Sequence, residues 1–375
     1  NQTDEYGNTP LLKASAWGKL DIIIELLKYG ANPNTENSKH ETPLKIAEKN
    51  GYKHIARTLL EYGADPNFRK ELTHRSLIQY MIDLGYKSDV KGICFGFSNM
   101  AMQAILSEDM KTFDNRLYVI QRDADTDKEK RLSDIERNKD GITPFLDGIE
   151  LYFRPTDYQH LFEPGKEPCP QHTLSTAPLV MSKNIEEQGG LVQSAKFSGV
   201  YDKNELIEYF KSLKESIENA IPRHSKPVAL ILLSVNHSIM VGYDPTNKDE
   251  PWIFSDVQRT PTLYLENEEN IADALMDGFS SSLSKAVFIT EVYTTRNNKD
   301  SLGAVISNWQ AKGGSWDKLH RMTNAKAKSY DKIGTSWLHL AAKGEINIVK
   351  ELLGHGANPN QRTVKGLTPL DLAIL

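Results

Sequence analysis

A cysteine, a histidine and an aspartate, in that order along the chain, have the residue types that nucleophilic acyl chemistry requires. Cys94 stands in Gly92-Ile93-Cys94-Phe95-Gly96-Phe97-Ser98, and Phe97, Ala101, Ala104 and Ile105 then keep helical spacing. The pattern predicts a helix with Cys94 near its N-terminus, where the helix dipole favours the thiolate. A thiolate nucleophile needs a base, usually histidine, and the imidazole needs a group to orient it. His237 follows Cys94 by 143 residues, between two predicted strands, and Asp256 follows His237 by 19, ending the next strand. Adjacent antiparallel strands can set such an aspartate beside such a histidine.

Other residues compete for these roles or are excluded from them. Asp244 adjoins the same strands and is the alternative acid, although a Tyr-Asp-Pro turn ordinarily uses its aspartate to fold the turn. Cys169, between Pro168 and Pro170, has no partner signal, and His160, His172 and His224 lack ligand spacing. There is no P-loop, HExxH or dinucleotide glycine pattern, so neither a metal nor a cofactor is expected. Two cysteines cannot make a disulfide scaffold and point to a reducing compartment. The first residue is Asn, so a missing leader carries no information.

Composition narrows the partners. The 375 residues carry 45 Lys+Arg against 50 Asp+Glu, a net charge of −5, and no basic run interleaved with aromatics, so direct nucleic-acid binding is not expected. The longest apolar stretch, Val228 to Val235, is far short of the about 20 residues a bilayer span needs.

The elements that must hold the three residues read as a mixed domain over residues 90–310. Asp202 and Glu205 form a capping pair for a helix running to Ile221, with Leu206, Phe210, Leu213 and Ile217 as its apolar stripe. Val228–Val235, Ser238–Tyr243, Trp252–Asp256 and Ala286–Thr294 read as strands. Residues 122–140, dense in both charges, read as a solvated helix or loop, and 163–178, with four prolines, as extended chain.

Gly92, Cys94, Gly96 and Ser98, together with Asn236-His237-Ser238 and Trp252-Ile253-Phe254-Ser255-Asp256, resemble the papain-like clan. The likeness is closest to bacterial virulence thiol proteases with a Cys-His-Asp triad. It implies an α+β cysteine-protease-like fold, with Cys94 as nucleophile, His237 as base and Asp256 orienting the imidazole. The reaction implied is cleavage of a peptide or isopeptide bond, or a related acyl transfer. Val257 and Gln258 stand where that branch often has Pro and Asn. Ser88 stands where papain has its oxyanion-hole Gln, so one donor is unassigned, the Cys94 backbone N–H being another.

Both ends of the chain repeat. Thr9-Pro10-Leu11 recurs as Thr42-Pro43-Leu44, and Gly30-Ala31-Asn32-Pro33-Asn34 as Gly63-Ala64-Asp65-Pro66-Asn67, both at 33 residues. Ser336-Trp337-Leu338-His339-Leu340-Ala341 with Gly356-Ala357-Asn358-Pro359-Asn360 is a further copy, and Thr368-Pro369-Leu370 opens another. The period and the T-P-L-H-x-A pattern resemble the ankyrin repeat, with His339 in a structural position. Thr-Pro opens each first helix, Ile22, Ile23, Leu26 and Leu27 give the second a packing face, and Gly30 and Gly63 end it. Residues 73–84 read as the first helix of a third repeat, with Asp317 to Met322 as its second helix after the insertion.

The expected fold class is therefore α+β multidomain. An all-α ankyrin solenoid over 1–89 and 311–375, stacked as one, is interrupted by a papain-like domain over 90–310. Tip residues, Asn34, Asn67, Arg69 and Lys70 among them, are free to bind a protein partner. The architecture resembles ankyrin-containing type IV secretion effectors of Legionella. That likeness implies a protein delivered by a bacterium into the host cytoplasm or nucleus, binding host protein through its repeats and inserted domain; a monomer is expected. The alternative is a non-catalytic scaffold in which both parts bind the host protein.

Overall fold

The computed structural model describes residues 3–4, 6–37, 41–65, 72–87, 93–126, 128–161, 182–220, 226–279 and 285–374. The chain divides into two compact units, residues 1–70 with 121–126, and residues 71–120 with 127–375.

The first unit contains two helical pairs, α1 (Pro10–Ala16) with α2 (Leu20–Lys28) and α3 (Pro43–Lys49) with α4 (Lys53–Glu61). Thr9 and Thr42 cap α1 and α3, accepting hydrogen bonds from the N–H groups of Leu12 and Lys45, with proline at the first helical position. Gly30 and Gly63 take left-handed φ of 79° and 86° just past α2 and α4, where a side chain would be strained. Leu11, Ile23, Leu27, Leu44, Ile55 and Leu59 share one core. Ile22, expected on that packing face, is instead 53% exposed, because the stripe is narrower than four adjacent apolar residues suggest.

In the second unit α5 (His74–Asp83) is the helix read as opening a third repeat. It starts one residue after Thr73, which caps it through the Ser76 N–H. Then follow α6 (Ile93–Leu106), α7 (Met110–Ala124), whose residues from 121 on are grouped with the first unit, α8 (Asp134–Lys139), α9 (Ile142–Phe153) and α10 (Lys183–Glu187). The charge-dense segment thus includes the end of α7 and all of α8, and Arg131 pairs with Asp83 at 3.0 Å. The proline-rich stretch lies outside the described residues.

Six strands form an antiparallel sheet among the described residues, in the order β1-β6-β2-β3-β4-β5. They are β1 (Leu191–Tyr201), β2 (Val228–Leu233), β3 (Ser238–Tyr243), β4 (Trp252–Asp256), β5 (Arg259–Leu265) and β6 (Ala286–Thr295). Around them lie α11 (Lys203–Glu218), α12 (Glu268–Phe279), α13 (Lys299–Trp309), α14 (Ser315–His320), α15 (Asn324–Lys328), α16 (Trp337–Ala341), α17 (Ile346–Gly354) and α18 (Pro369–Ile374). The fold of this unit is mixed α+β. The Asp202–Glu205 capping box starts α11 as expected, and its stripe is buried.

Both faces of the sheet are covered. Leu230, Leu232, Val241, Phe254, Phe288 and Val292 share a core with the buried sides of α11, α12 and α13. Leu319 joins that core, so the segment expected as a repeat helix, now α14, packs with the sheet. On the other face Val200, Val287 and Ile289 cluster with Trp337, Leu338 and Leu340 of the C-terminal repeat. The Trp337 indole N–H donates to Ser198 of β1 at 2.7 Å. His339 accepts from the Ser336 N–H and is buried, the structural role its position implies.

Candidate active site

Glycine sets how α6 lies. A methyl group at Gly96 would run into the backbone of Ile149 in α9, and one at Gly242 of β3 would strike Ile105. The two absent side chains let α6 close onto α9 and β3, and Phe97, Ala101 and Ile105 are buried there. Cys94 is the second residue of this helix, as the sequence predicts. Its own N–H is among the first four, which have no intrahelical acceptor.

The sheet supplies the partners. His237 lies in the β2–β3 turn, closed by a hydrogen bond from the Ser234 N–H to its carbonyl at 2.9 Å. The β3–β4 register pairs Met240 with Ser255. Extending it by one residue puts Asp256 opposite Ile239, a diagonal neighbour of His237 on the same face. His237 Nε2 approaches Asp256 Oδ1 at 3.0 Å, both side chains being nearly buried. Asp256 also accepts from the Gln258 N–H at 2.8 Å, and Phe279 of α12 packs edge-on against the imidazole. The irregularity in the β4–β5 ladder falls at Asp256, where a bulge can re-aim a side chain.

Cys94 and His237 are within mutual influence. Burial pushes the Cys94 thiol up, but hydrogen bonding and charge from His237 and His74 outweigh it and bring the thiol down to about 7. Burial likewise pushes His237 down, but Asp256 and then Cys94 outweigh it and raise the imidazole to about 9. Between those values the pair is a thiolate and an imidazolium. The geometry is loose: the Asp256 contact is short, but neither ring nitrogen of His237 has a well-aligned hydrogen-bond partner among the described residues. Unliganded catalytic sites commonly tighten only around substrate.

Cys94, His237 and Asp256 are thus brought together. Asp244, the alternative acid, folds its own turn by accepting from the Thr246 N–H and hydroxyl at 2.9 and 2.7 Å. Among the proposed partner-binding residues, Asn67, Arg69 and Lys70 lie outside the described residues. Asn34 is not free as expected: its amide donates to the Gly63 carbonyl and accepts from the Asp65 N–H, stapling consecutive repeat turns.

One neighbour was not anticipated. His74, the first residue of α5, places Nε2 3.6 Å from the Cys94 sulfur. The backbone just before it is tied to the sheet, because the Thr260 hydroxyl donates to the Leu72 carbonyl at 2.5 Å. His74 sits where the repeat pattern points to helix packing, and nothing in its local spacing marks it for chemistry. Among the described residues no group of three or more His, Cys, Asp or Glu is placed to hold a metal ion. No helix there is long and apolar enough to cross a membrane.

Comparison with known families agrees with the repeats. Residues 1–70 match ankyrin repeats in three copies, and residues 338–364 match a further ankyrin repeat. No curated protein sequence matches the chain. Ankyrin repeats imply protein–protein interaction, so a protein partner is part of what this chain does.

Proposed function

We propose that this chain is a thiol hydrolase or acyl transferase of papain-like type, whose ankyrin repeats bring it to a protein partner. The observation that carries the reading is the His237 imidazole, held by Asp256 at 3.0 Å and set to lower the thiol of Cys94 at a helix N-terminus. In this reading Cys94 attacks an acyl carbon, His237 passes the proton to the leaving group, and Asp256 fixes the ring and stabilises its charged form. The same chemistry serves a peptide, an isopeptide or a side-chain amide. The domain limits 1–89, 90–310 and 311–375, and action inside a host cell after delivery by a bacterium, belong to this proposal and follow from the family likeness.

The second reading, a binding scaffold, is favoured by the burial of Cys94, which is only 7% exposed. Competition between the two cysteines separates the readings. Iodoacetamide at pH 6, followed by peptide mass mapping, should modify Cys94 well ahead of Cys169, and the preference should vanish in His237→Ala. Equal modification of both cysteines in the wild type would favour the scaffold.

A further inference from the structure

Among the described residues, His74 is the titratable neighbour of Cys94 that the triad leaves unused. Its Nε2 stands 3.6 Å from the sulfur, its helix is capped by Thr73, and the preceding Leu72 carbonyl is fastened to Thr260 of β5. Among the described residues no carboxylate pairs with its ring, whereas His237 has Asp256. A second base would need such a partner to hold and stabilise its charged form. A neutral donor does not. Facing a thiolate, the ring is favoured as the tautomer that carries its proton on Nε2.

We propose that His74 is the oxyanion donor of this site, an inference that rests on the thiol-hydrolase reading above. As the Cys94 sulfur bonds to the acyl carbon, the carbonyl π electrons move onto oxygen. Negative charge leaves sulfur and appears on an atom within about 3 Å of it. A donor already aimed at the sulfur needs only a shift of about 1 Å to reach the 2.7–3.1 Å at which oxyanion donors act. The Cys94 N–H at the start of α6 is the second donor. When the carbonyl re-forms, the carbon–nitrogen bond breaks and the His237 imidazolium protonates the departing amine. Water then attacks the thioester, giving its proton to His237 and releasing the thiolate. His74 holds the oxygen's charge in both halves and exchanges no proton. In this role it takes the place of the glutamine that the family likeness expects at Ser88.

The test compares two small reagents at Cys94. Acetylation by p-nitrophenyl acetate passes through a tetrahedral oxyanion, whereas alkylation by iodoacetamide displaces iodide at a saturated carbon and forms none. Both rates are read as mass shifts of the Cys94 peptide at pH 8, in the full chain. In His74→Phe, which keeps a ring but removes the donor, the acetylation-to-alkylation ratio should fall on the order of 10²-fold. His74→Gln, which restores an N–H, should recover most of it. An unchanged ratio in His74→Phe, or an equal fall in both rates, overturns the assignment and leaves His74 a packing or thiolate-supporting residue. If at pH 6 wild-type Cys94 reacts with iodoacetamide no faster than Cys169, the hydrolase reading fails and this one with it. Fast alkylation with an unmoved ratio sinks this one alone.

Discussion

Removing the His237 imidazole should return Cys94 to an unreactive thiol, and the size of that change follows from two opposing effects. The thiol stands at about 7 against an ordinary 9.0. At pH 6 that shift raises the thiolate fraction from roughly a thousandth to roughly a tenth, about 90-fold. A less basic thiolate is also a weaker nucleophile, and two units at a Brønsted slope of about 0.45 take back a factor of about 8. Ionisation wins, by about tenfold at pH 6. The margin disappears near pH 8, where about a tenth of an ordinary thiol is already ionised. His237→Ala leaves burial pushing the thiol up, with only His74 opposing it. The midpoint of the iodoacetamide rate against pH should therefore move from about 7 upward by at least about one unit. Stopped-flow or mass-resolved alkylation between pH 5 and 10 reads it directly. A wild-type midpoint at an ordinary thiol value, or one that His237→Ala does not move, would refute the argument.

Three further outcomes are expected. Asp256→Asn should lower the His237 titration midpoint from about 9, since the carboxylate is the main group raising it; the ring proton shifts of His237 report this, and an unmoved midpoint would mean the 3.0 Å contact carries no charge coupling. The sign follows from the raised value: the imidazolium is stabilised below 6.5 and that stabilisation is lost as pH rises through about 9. Gly96→Ala should destabilise the sheet unit by about 1–3 kcal/mol, because α6 can no longer close on the Ile149 backbone. An unchanged melting curve would show that α6 can shift at no cost. Asn34→Ala should cost the repeats about 1–2 kcal/mol, because the Gly63 carbonyl and Asp65 N–H lose a partner; unaltered denaturant stability would mean water replaces the amide.

How much was legible depends on the range over which each signal acts. The repeat helices were, because Thr-Pro caps and left-handed glycines are local and recur at 33 residues. The strands β2, β3 and β4 announced themselves by short apolar runs, and the order Cys94, His237, Asp256 could be matched to them. β1 and β5 could not be read so easily. β1 carries Gln193, Ser194, Lys196 and Gly199 and is bulged near Gln193, so its apolar alternation is broken. β5 contains Pro261, which is tolerated because β5 is an edge strand. Asn34 was misread for a different reason. An exposed polar turn residue looks free in a single repeat, and only the stacking of two repeats shows that its amide is already used.

His74 shows where a reading by segments fails. The change in texture falls within residues 90–310, yet His74, whose Nε2 stands 3.6 Å from the Cys94 sulfur, comes from a helix that scans as a repeat. Packing explains how it gets there. α5 lies in the same compact unit as the sheet, with Leu77, Ile78 and Met81 buried and Leu72 tied to β5. The backbone at the start of that helix is fixed by the Thr73 cap and by the hydrogen bond from Thr260 to Leu72, which places the Cα of His74. A chain cut at residue 90 would keep Cys94, His237 and Asp256 but lose His74, and the Thr260 hydroxyl would lose the Leu72 carbonyl as its acceptor. The geometry therefore crosses the change in sequence texture: a helix that scans as a repeat brings His74 to a thiol carried by the segment that follows it.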